Sequence, residues 1–404
     1  MKRDLPAKSI ASSDKKSTSH FLDFFAYGYY KYGRIEVQNP CFFAQKGLLM
    51  KKIVMTGGGT AGHVTPNIAL FPRLKELGYD IQYIGSYDGI EKKLIADYGI
   101  PYYGIATGKL RRYFDPKNFS DPFRVLKGFA EAHKILKELK PDVVFSKGGF
   151  VSVPVVRAAA TLKIPCIIHE SDMTPGLANK LCIPVAAKVC CNFPETMKDL
   201  PADKAVLTGS PIRTELAKGN KFRALEMCHF SDGKPVIMVI GGSLGASGVN
   251  KLVREALPQL LEDFQVVHIC GKDKVDNLLL NTKGYVQFEY VKEDLKDLFA
   301  MADVVISRAG ANAICELLAL RKPSLLIPLP AASSRGDQIL NARSFEEQGF
   351  SMVANEDDLT AFSLVEKVHE LYFNRHSYID AMQNCGQRNS IDTIVELIEN
   401  AANK

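Results

Sequence analysis

The chain has 404 residues, 46% hydrophobic and 24% charged, with a net charge of +6. That length is too great for one ordinary core and calls for two or three domains, while no run reaches the ~18 uninterrupted apolar residues of a membrane-spanning helix. Residues 1–49 supply +4 of the charge, so the remainder is close to neutral and nucleic acid is not an expected partner.

Residues 1–49 read differently from the rest. Ser12-Ser13-Asp14-Lys15-Lys16-Ser17 is a polar, disorder-prone run, and an aromatic cluster follows from Phe21 to Tyr32. Met50-Lys51-Lys52-Ile53 resembles a natural start, so the segment is expected to be disordered or to lie upstream of the true initiator. Residues 1–20 lack the apolar stretch of a signal peptide. The nine cysteines form no CxxC pair and are expected to be buried, reduced thiols rather than metal ligands.

From Met50 onward, strand and helix patterns alternate. Strands are predicted at 52–56, 81–84, 142–146, 165–169 and 188–191, with helices at 66–77 and 121–139 between them. A second series has strands at 236–240, 264–269, 285–288, 303–307 and 324–328, with helices at 249–262, 293–301, 311–320 and 336–348. Such alternation implies parallel sheets with right-handed crossovers. The fold class is therefore α/β, with two Rossmann-like, doubly wound halves facing across a cleft. The predicted domains are 50–213 and 214–380, hinged at Leu207–Arg213, with a helix over 381–404 that returns to the first half.

Two glycine-rich turns follow β-branched runs: Gly57-Gly58-Gly59-Thr60-Ala61-Gly62-His63 after 52–56, and Gly241-Gly242-Ser243-Leu244-Gly245-Ala246 after 236–240. Glycine there permits close backbone approach, and the helix beyond presents free N–H groups to phosphate. Neither is a P-loop, and the first fits the dinucleotide fingerprint poorly, because Asp88 lies late and in a loop. His63 stands where the first turn becomes a helix, either as a capping residue or as a base near neutral pH. His169-Glu170-Ser171-Asp172 ends another strand but lacks zinc spacing. Ser307-Arg308-Ala309-Gly310 leads into a helix whose N-terminus can hold a diphosphate, with Glu316 within reach of a ribose. Asp337 and Gln338 offer groups suited to sugar hydroxyls. Over 108–137, Lys109, Arg111, Arg112, Arg124 and Lys127 mix with Phe114 and Phe123. That stretch is either a core-facing helix or a patch that docks on an anionic membrane surface.

Taken in order, Gly58-Gly59-Thr60-Ala61-Gly62-His63, His169-Glu170-Ser171-Asp172, Gly209-Ser210-Pro211-Ile212-Arg213, Gly241-Gly242-Ser243-x-Gly245-Ala246 and Ser307-Arg308-Ala309-Gly310…Glu316…Gln338 resemble the MurG family. These are UDP-GlcNAc:undecaprenyl-diphospho-MurNAc-pentapeptide N-acetylglucosaminyltransferases of peptidoglycan synthesis. The resemblance runs from Met50 to near the C-terminus and implies a GT-B fold and an inverting, metal-independent hexosyl transfer without cofactor. It implies that Thr60, Ala61 and Gly62 approach the donor, with Asp172 beside them. Arg213 and Ser243 would contact the diphosphate, Tyr290 and Val291 the uracil, and Glu316 the ribose. Ala311, Asn312, Ala313, Ile314 and Cys315 would line the sugar and diphosphate, and Gln338 would read GlcNAc hydroxyls. The expected base is His63, with Glu170 or Asp172 second. Two departures stand out: Ala61 replaces a common glycine, and Glu170-Ser171-Asp172 replaces the commoner Glu-Gln-Asn. The implied partners are UDP-GlcNAc, an undecaprenyl-linked lipid acceptor, an anionic membrane surface on the cytoplasmic side and other cell-wall synthesis proteins. Competing readings are a related transferase with a glycerolipid acceptor, a non-catalytic nucleotide-sugar-binding subunit and, third, an NAD-dependent oxidoreductase.

Overall fold

The structure is a computed structural model that describes residues 50–108, 121–241, 245–331, 336–385 and 390–403. Residues 50–404 form one compact unit. Its first half carries β1 (Lys52–Thr56), β2 (Asp80–Ser86), β3 (Tyr102–Ile105), β4 (Val143–Ser146), β5 (Cys166–Glu170), β6 (Lys188–Cys191) and β7 (Ala205–Leu207). They join in the order β3-β2-β1-β4-β5-β6-β7, and every pairing is parallel. The helices of this half are α1 (Thr65–Glu76), α2 (Ile90–Ala96), α3 (Asp121–Leu139), α4 (Ser152–Thr161) and α5 (Leu177–Cys182).

The second half repeats the scheme. Strands β8 (Val236–Ile240), β9 (Gln265–Ile269), β10 (Tyr285–Phe288), β11 (Val304–Ser307), β12 (Ser324–Leu326) and β13 (Met352–Val353) assemble as β10-β9-β8-β11-β12-β13. These pairings are parallel too. Between and after them come α6 (Lys221–Cys228), α7 (Ser247–Asp263), α8 (Leu295–Met301), α9 (Ala311–Ala319), α10 (Asp337–Glu347), α11 (Ala361–Phe373), α12 (Arg375–Asn384) and α13 (Ser390–Ala402).

Both sheets are covered on both faces, which is why their strands read as continuous apolar runs. Successive side chains alternate between faces. Ile53 and Met55 join one core and Val54 the other, as Ile237 and Val239 oppose Val236 and Met238 in the second half. The sequence missed β3, β7 and β13, which are short edge or near-edge strands with little periodicity. It also read one helix over 381–404 where α12 stops at Asn384 and α13 begins at Ser390. The two serve different halves. Met382 of α12 sits in the second core, whereas Ile391, Ile394, Val395 and Ile398 of α13 pack in the first. That i, i+3, i+4, i+7 spacing is one helix face, and each fully buried isoleucine contributes roughly 1.5–3 kcal/mol relative to exposure.

Strand order reverses between β1 and β4 and again between β8 and β11. In an open parallel sheet, a ligand crevice forms outside the carboxyl ends of the strands at such a switch point. The first glycine turn follows β1 and the second follows β8, so both lie at these points.

Candidate active site

The floor of the first half is built from two glycine turns in contact. After β1, a Cβ on Gly58 would lie 2.5 Å from Cδ of Glu91. The buried Glu91 carboxylate accepts the N–H of Gly59 at 3.1 Å and that of Ser86 at 2.9 Å, and the Ser86 hydroxyl also donates to it. Ala61–His63 then forms a single helical turn, with Nδ1 of His63 3.0 Å from Oγ1 of Thr60. After β4 comes Lys147-Gly148-Gly149, a pair that the sequence reading did not single out although it bears the same strand-to-glycine signature. Gly149 has φ +82°, and a Cβ there would lie 2.4 Å from the carbonyl oxygen of Gly58 and 3.3 Å from Nδ1 of His63. The second turn therefore seats the first.

The loop after β5 is braced from within. Glu170 is buried, and one carboxylate oxygen accepts the N–H groups of Ser171 (2.8 Å) and Asp172 (3.0 Å). The other accepts the N–H of Gly176 (3.0 Å) and the amide of Asn179 (2.8 Å). Four donors occupy it, and burial pushes its pKa upward against them. His169 is fully buried, and its Nε2 lies 2.9 Å from the carbonyl oxygen of Gly209. Burial, with the Lys147 charge beside it, holds its pKa well below the ordinary value, so the ring is neutral. Asp172 reaches the other half: the Asn341 amide of α10 donates to its Oδ1 at 3.2 Å, and Asn341 Oδ1 accepts the Met173 N–H at 3.1 Å.

The second half presents the N-terminus of α9. Asn312 donates to the carbonyl oxygen of Gly62 at 2.7 Å and stands 3.4 Å from the Ser210 hydroxyl. A cavity of about 220 Å³ results, lined by Thr60, Gly62, His63, Ser171, Asp172, Gly310, Ala311, Asn312 and Ala313. Seven of the sequence-predicted residues thus converge, while Ala61 sits in the turn beside them. Ile314 is in the apolar core instead. Cys315 is buried, with its thiol pushed up to about 12, and faces a separate pocket of about 450 Å³ with Arg213 and Met382. Arg213 and Glu316 meet at 3.7 Å; burial raises the Glu316 pKa and the guanidinium opposes that rise. Gln338 accepts the Leu329 N–H at 3.1 Å. Tyr290 is 65% exposed, and Val291 packs on the second core. Arg308 is a brace, donating to the carbonyl oxygens of Ile327 and Pro328 and pairing with Glu356 at 2.6 Å. Ser243 lies outside the described residues.

Lys109, Arg111, Arg112 and Phe114 also lie outside them. On α3, Ala132 and Leu136 are buried, and a Cβ on Gly128 would lie 1.9 Å from the Ala106 carbonyl oxygen. That face packs on α4 and the end of β3. Phe123 and Leu126, 74% and 66% exposed, consequently stand on the solvent side with Arg124 and Lys127. Among the described residues no helix is long and apolar enough to cross a membrane, and no group of three or more His, Cys, Asp or Glu is arranged to hold a metal ion.

Comparison with known proteins agrees with this architecture. Residues 53–191 match the glycosyltransferase family 28 N-terminal domain, and residues 236–398 match the glycosyltransferase family 28 C-terminal domain. A relative from Lachnospira eligens is 65% identical over 350 residues, covering 87% of this chain and 99% of its own. One from Lachnoclostridium phytofermentans is likewise 65% identical, and one from Clostridium botulinum strain Loch Maree 60%, with the same coverage. All three are named UDP-N-acetylglucosamine--N-acetylmuramyl-(pentapeptide) pyrophosphoryl-undecaprenol N-acetylglucosamine transferase. Among solved structures, MurG of Acinetobacter baumannii superposes with a TM-score of 0.69 at 28% identity, covering 87% of this chain and 99% of that one. A kitacinnamycin glycosyltransferase shares the fold alone, with a TM-score of 0.68 at 16% identity over 87% of this chain and 99% of that one. The chain belongs to the MurG family of glycosyltransferases, assembled from the two family 28 domains.

Proposed function

We propose that this chain moves N-acetylglucosamine from UDP-GlcNAc to the C4 hydroxyl of MurNAc in undecaprenyl-diphospho-MurNAc-pentapeptide, with inversion at the anomeric carbon. The observation that carries the site assignment is the cavity in which His63 of one half faces the N-terminus of α9 from the other. His63 removes the hydroxyl proton as the acceptor oxygen attacks. The bond from the anomeric carbon to the diphosphate breaks, and UDP departs with the electron pair. The positive end of α9, together with Arg213 and Ser243, stabilises that developing charge in place of a metal ion.

Glu316 holds the ribose, Tyr290 and Val291 the uracil, and Gln338 the sugar hydroxyls. Ala311, Asn312 and Ala313 supply backbone and side-chain contacts around the diphosphate. Thr60, Ala61 and Gly62 close over the donor. Glu170 shapes the Ser171–Asp172 loop, since its four accepted hydrogen bonds commit its lone pairs. Phe123, Arg124 and Lys127, joined by Lys109, Arg111, Arg112 and Phe114, seat the enzyme on the cytoplasmic face of an anionic membrane. There the lipid acceptor and other cell-wall synthesis proteins are met.

The test is transfer of labelled GlcNAc from UDP-GlcNAc to a lipid-linked MurNAc-pentapeptide, in EDTA, with diacylglycerol as competing acceptor. Disaccharide product under chelation is expected. Preference for diacylglycerol would reassign the acceptor, and tight donor binding without any product would make the chain a nucleotide-sugar-binding subunit.

A further inference from the structure

Lys147 follows β4, and its own N–H continues the ladder by donating to Thr56 at 2.9 Å. The side chain is 1% exposed and runs beneath the first glycine turn, its Cβ 3.2 Å from where a Cβ on Gly57 would stand. Nζ ends 2.8 Å from Nδ1 of His169 and 2.5 Å from Oγ of Ser171. Because Nε2 of His169 lies against a carbonyl oxygen, which only accepts, Nε2 carries the ring proton and Nδ1 accepts from the ammonium.

A buried ammonium is costly unless it is paired and hydrogen-bonded. Burial lowers the Lys147 pKa to about 8, and the Glu170 carboxylate acts most strongly to raise it, followed by Cys315, Asp172 and Cys190. Those two carboxylates also oppose each other, since Asp172 pushes the Glu170 pKa up. Where relatives carry the commoner Glu-Gln-Asn, position 172 is a neutral amide; here Asp172 adds a second carboxylate to the loop that Lys147 anchors through Ser171.

We propose that Lys147 is a positioning residue: its ammonium anchors Ser171 and His169 and offsets the Asp172 charge, holding the loop that faces His63 and pairs with Asn341. This rests on the reading of that cavity as the transfer site. Lys147 acts through Ser171 and Asp172 and does not itself line the cavity.

The test is a kinetic cycle of wild type, Lys147→Met, Asp172→Asn and the double variant, with Ser171→Ala alongside. Lys147→Met is expected to lower kcat at least tenfold, and to cost several-fold less in the Asp172→Asn background, where only the anchoring of Ser171 and His169 is lost. Ser171→Ala, which keeps the charge but removes one acceptor from the buried ammonium, is expected to lower kcat several-fold and to lower the thermal midpoint less than Lys147→Met does. Lys147→Met with kcat within twofold of wild type, or equal losses in both backgrounds, would overturn the proposal. Should Lys147→Met fail to fold, Ser171→Ala decides, and wild-type kcat there would overturn it. Thermal midpoints of the same cycle need no turnover: coupled shifts support the pairing and additive shifts overturn it. An enzyme inactive on the lipid acceptor would therefore fail the assigned reaction separately.

Discussion

The side-chain amide of Asn312 donates to the carbonyl oxygen of Gly62 at 2.7 Å, tying the N-terminus of α9 to the first glycine turn across 250 positions of sequence. One bond thus links the anion-ready end of one half to the backbone beside His63 in the other. A net hydrogen bond is worth about 1 kcal/mol, or roughly fivefold in an equilibrium. Asn312→Ala is therefore expected to lower kcat/KM about fivefold with little change in thermal midpoint. An unchanged kcat/KM would show that closure does not depend on this contact.

His63 is the assigned base. General-base assistance contributes ~10²–10⁴-fold, so His63→Ala should lose kcat on that scale while still binding UDP-GlcNAc. Single-turnover transfer measures it directly, and near-full turnover would remove His63 from the mechanism.

Glu316 is partly buried and lies 3.7 Å from Arg213. Glu316→Gln keeps the shape but removes a charged acceptor, and hydrogen bonds to charged groups are worth about 1.5–3 kcal/mol. KM for UDP-GlcNAc should rise about tenfold or more with kcat little changed. A loss confined to kcat would move Glu316 away from the ribose.

Gly149, like Gly57, makes one of the closest backbone approaches in the floor. An alanine there combines a left-handed φ of +82° with a Cβ 2.4 Å from the Gly58 carbonyl oxygen. The strain alone costs of order 1–3 kcal/mol, and relief requires the two turns to part beneath His63. Gly149→Ala should lower the denaturation midpoint and reduce activity more than tenfold, whereas Gly176→Ala, with nothing within 4 Å of the added Cβ, serves as the mild comparison.

Phe123 and Leu126 project from α3 beside Arg124 and Lys127. Each large apolar side chain buried in lipid contributes roughly 1.5–3 kcal/mol. Phe123→Ser with Leu126→Ser should weaken sedimentation with anionic vesicles at least tenfold and leave turnover of a water-soluble acceptor analogue intact. Equal vesicle binding by the double variant would place any membrane contact elsewhere.

The sequence alone determined the parallel-sheet scaffold and the two turns at its switch points. Strand runs such as Val236–Ile240, and glycines after them, are local patterns set by backbone sterics and two-sided burial. The placing of His63 and Asn312 at the cavity was legible for the same reason, because each holds a fixed offset from a strand end. The tertiary structure alone decided what those residues meet. Glu91 filling the first turn, Asn341 reaching Asp172, and Lys147 beneath the 169–172 loop each join segments distant in the chain, and no periodicity encodes such a pairing. It also separated residues that looked alike in sequence: Ile314 went to the core while its neighbours Asn312 and Ala313 face the cleft, because helix geometry turns each successive side chain by ~100°. Packing settled α3 in the same way. Gly128 fits against Ala106 and Pro154, and Ala132 and Leu136 are buried, which left Phe123 and Leu126 facing outward.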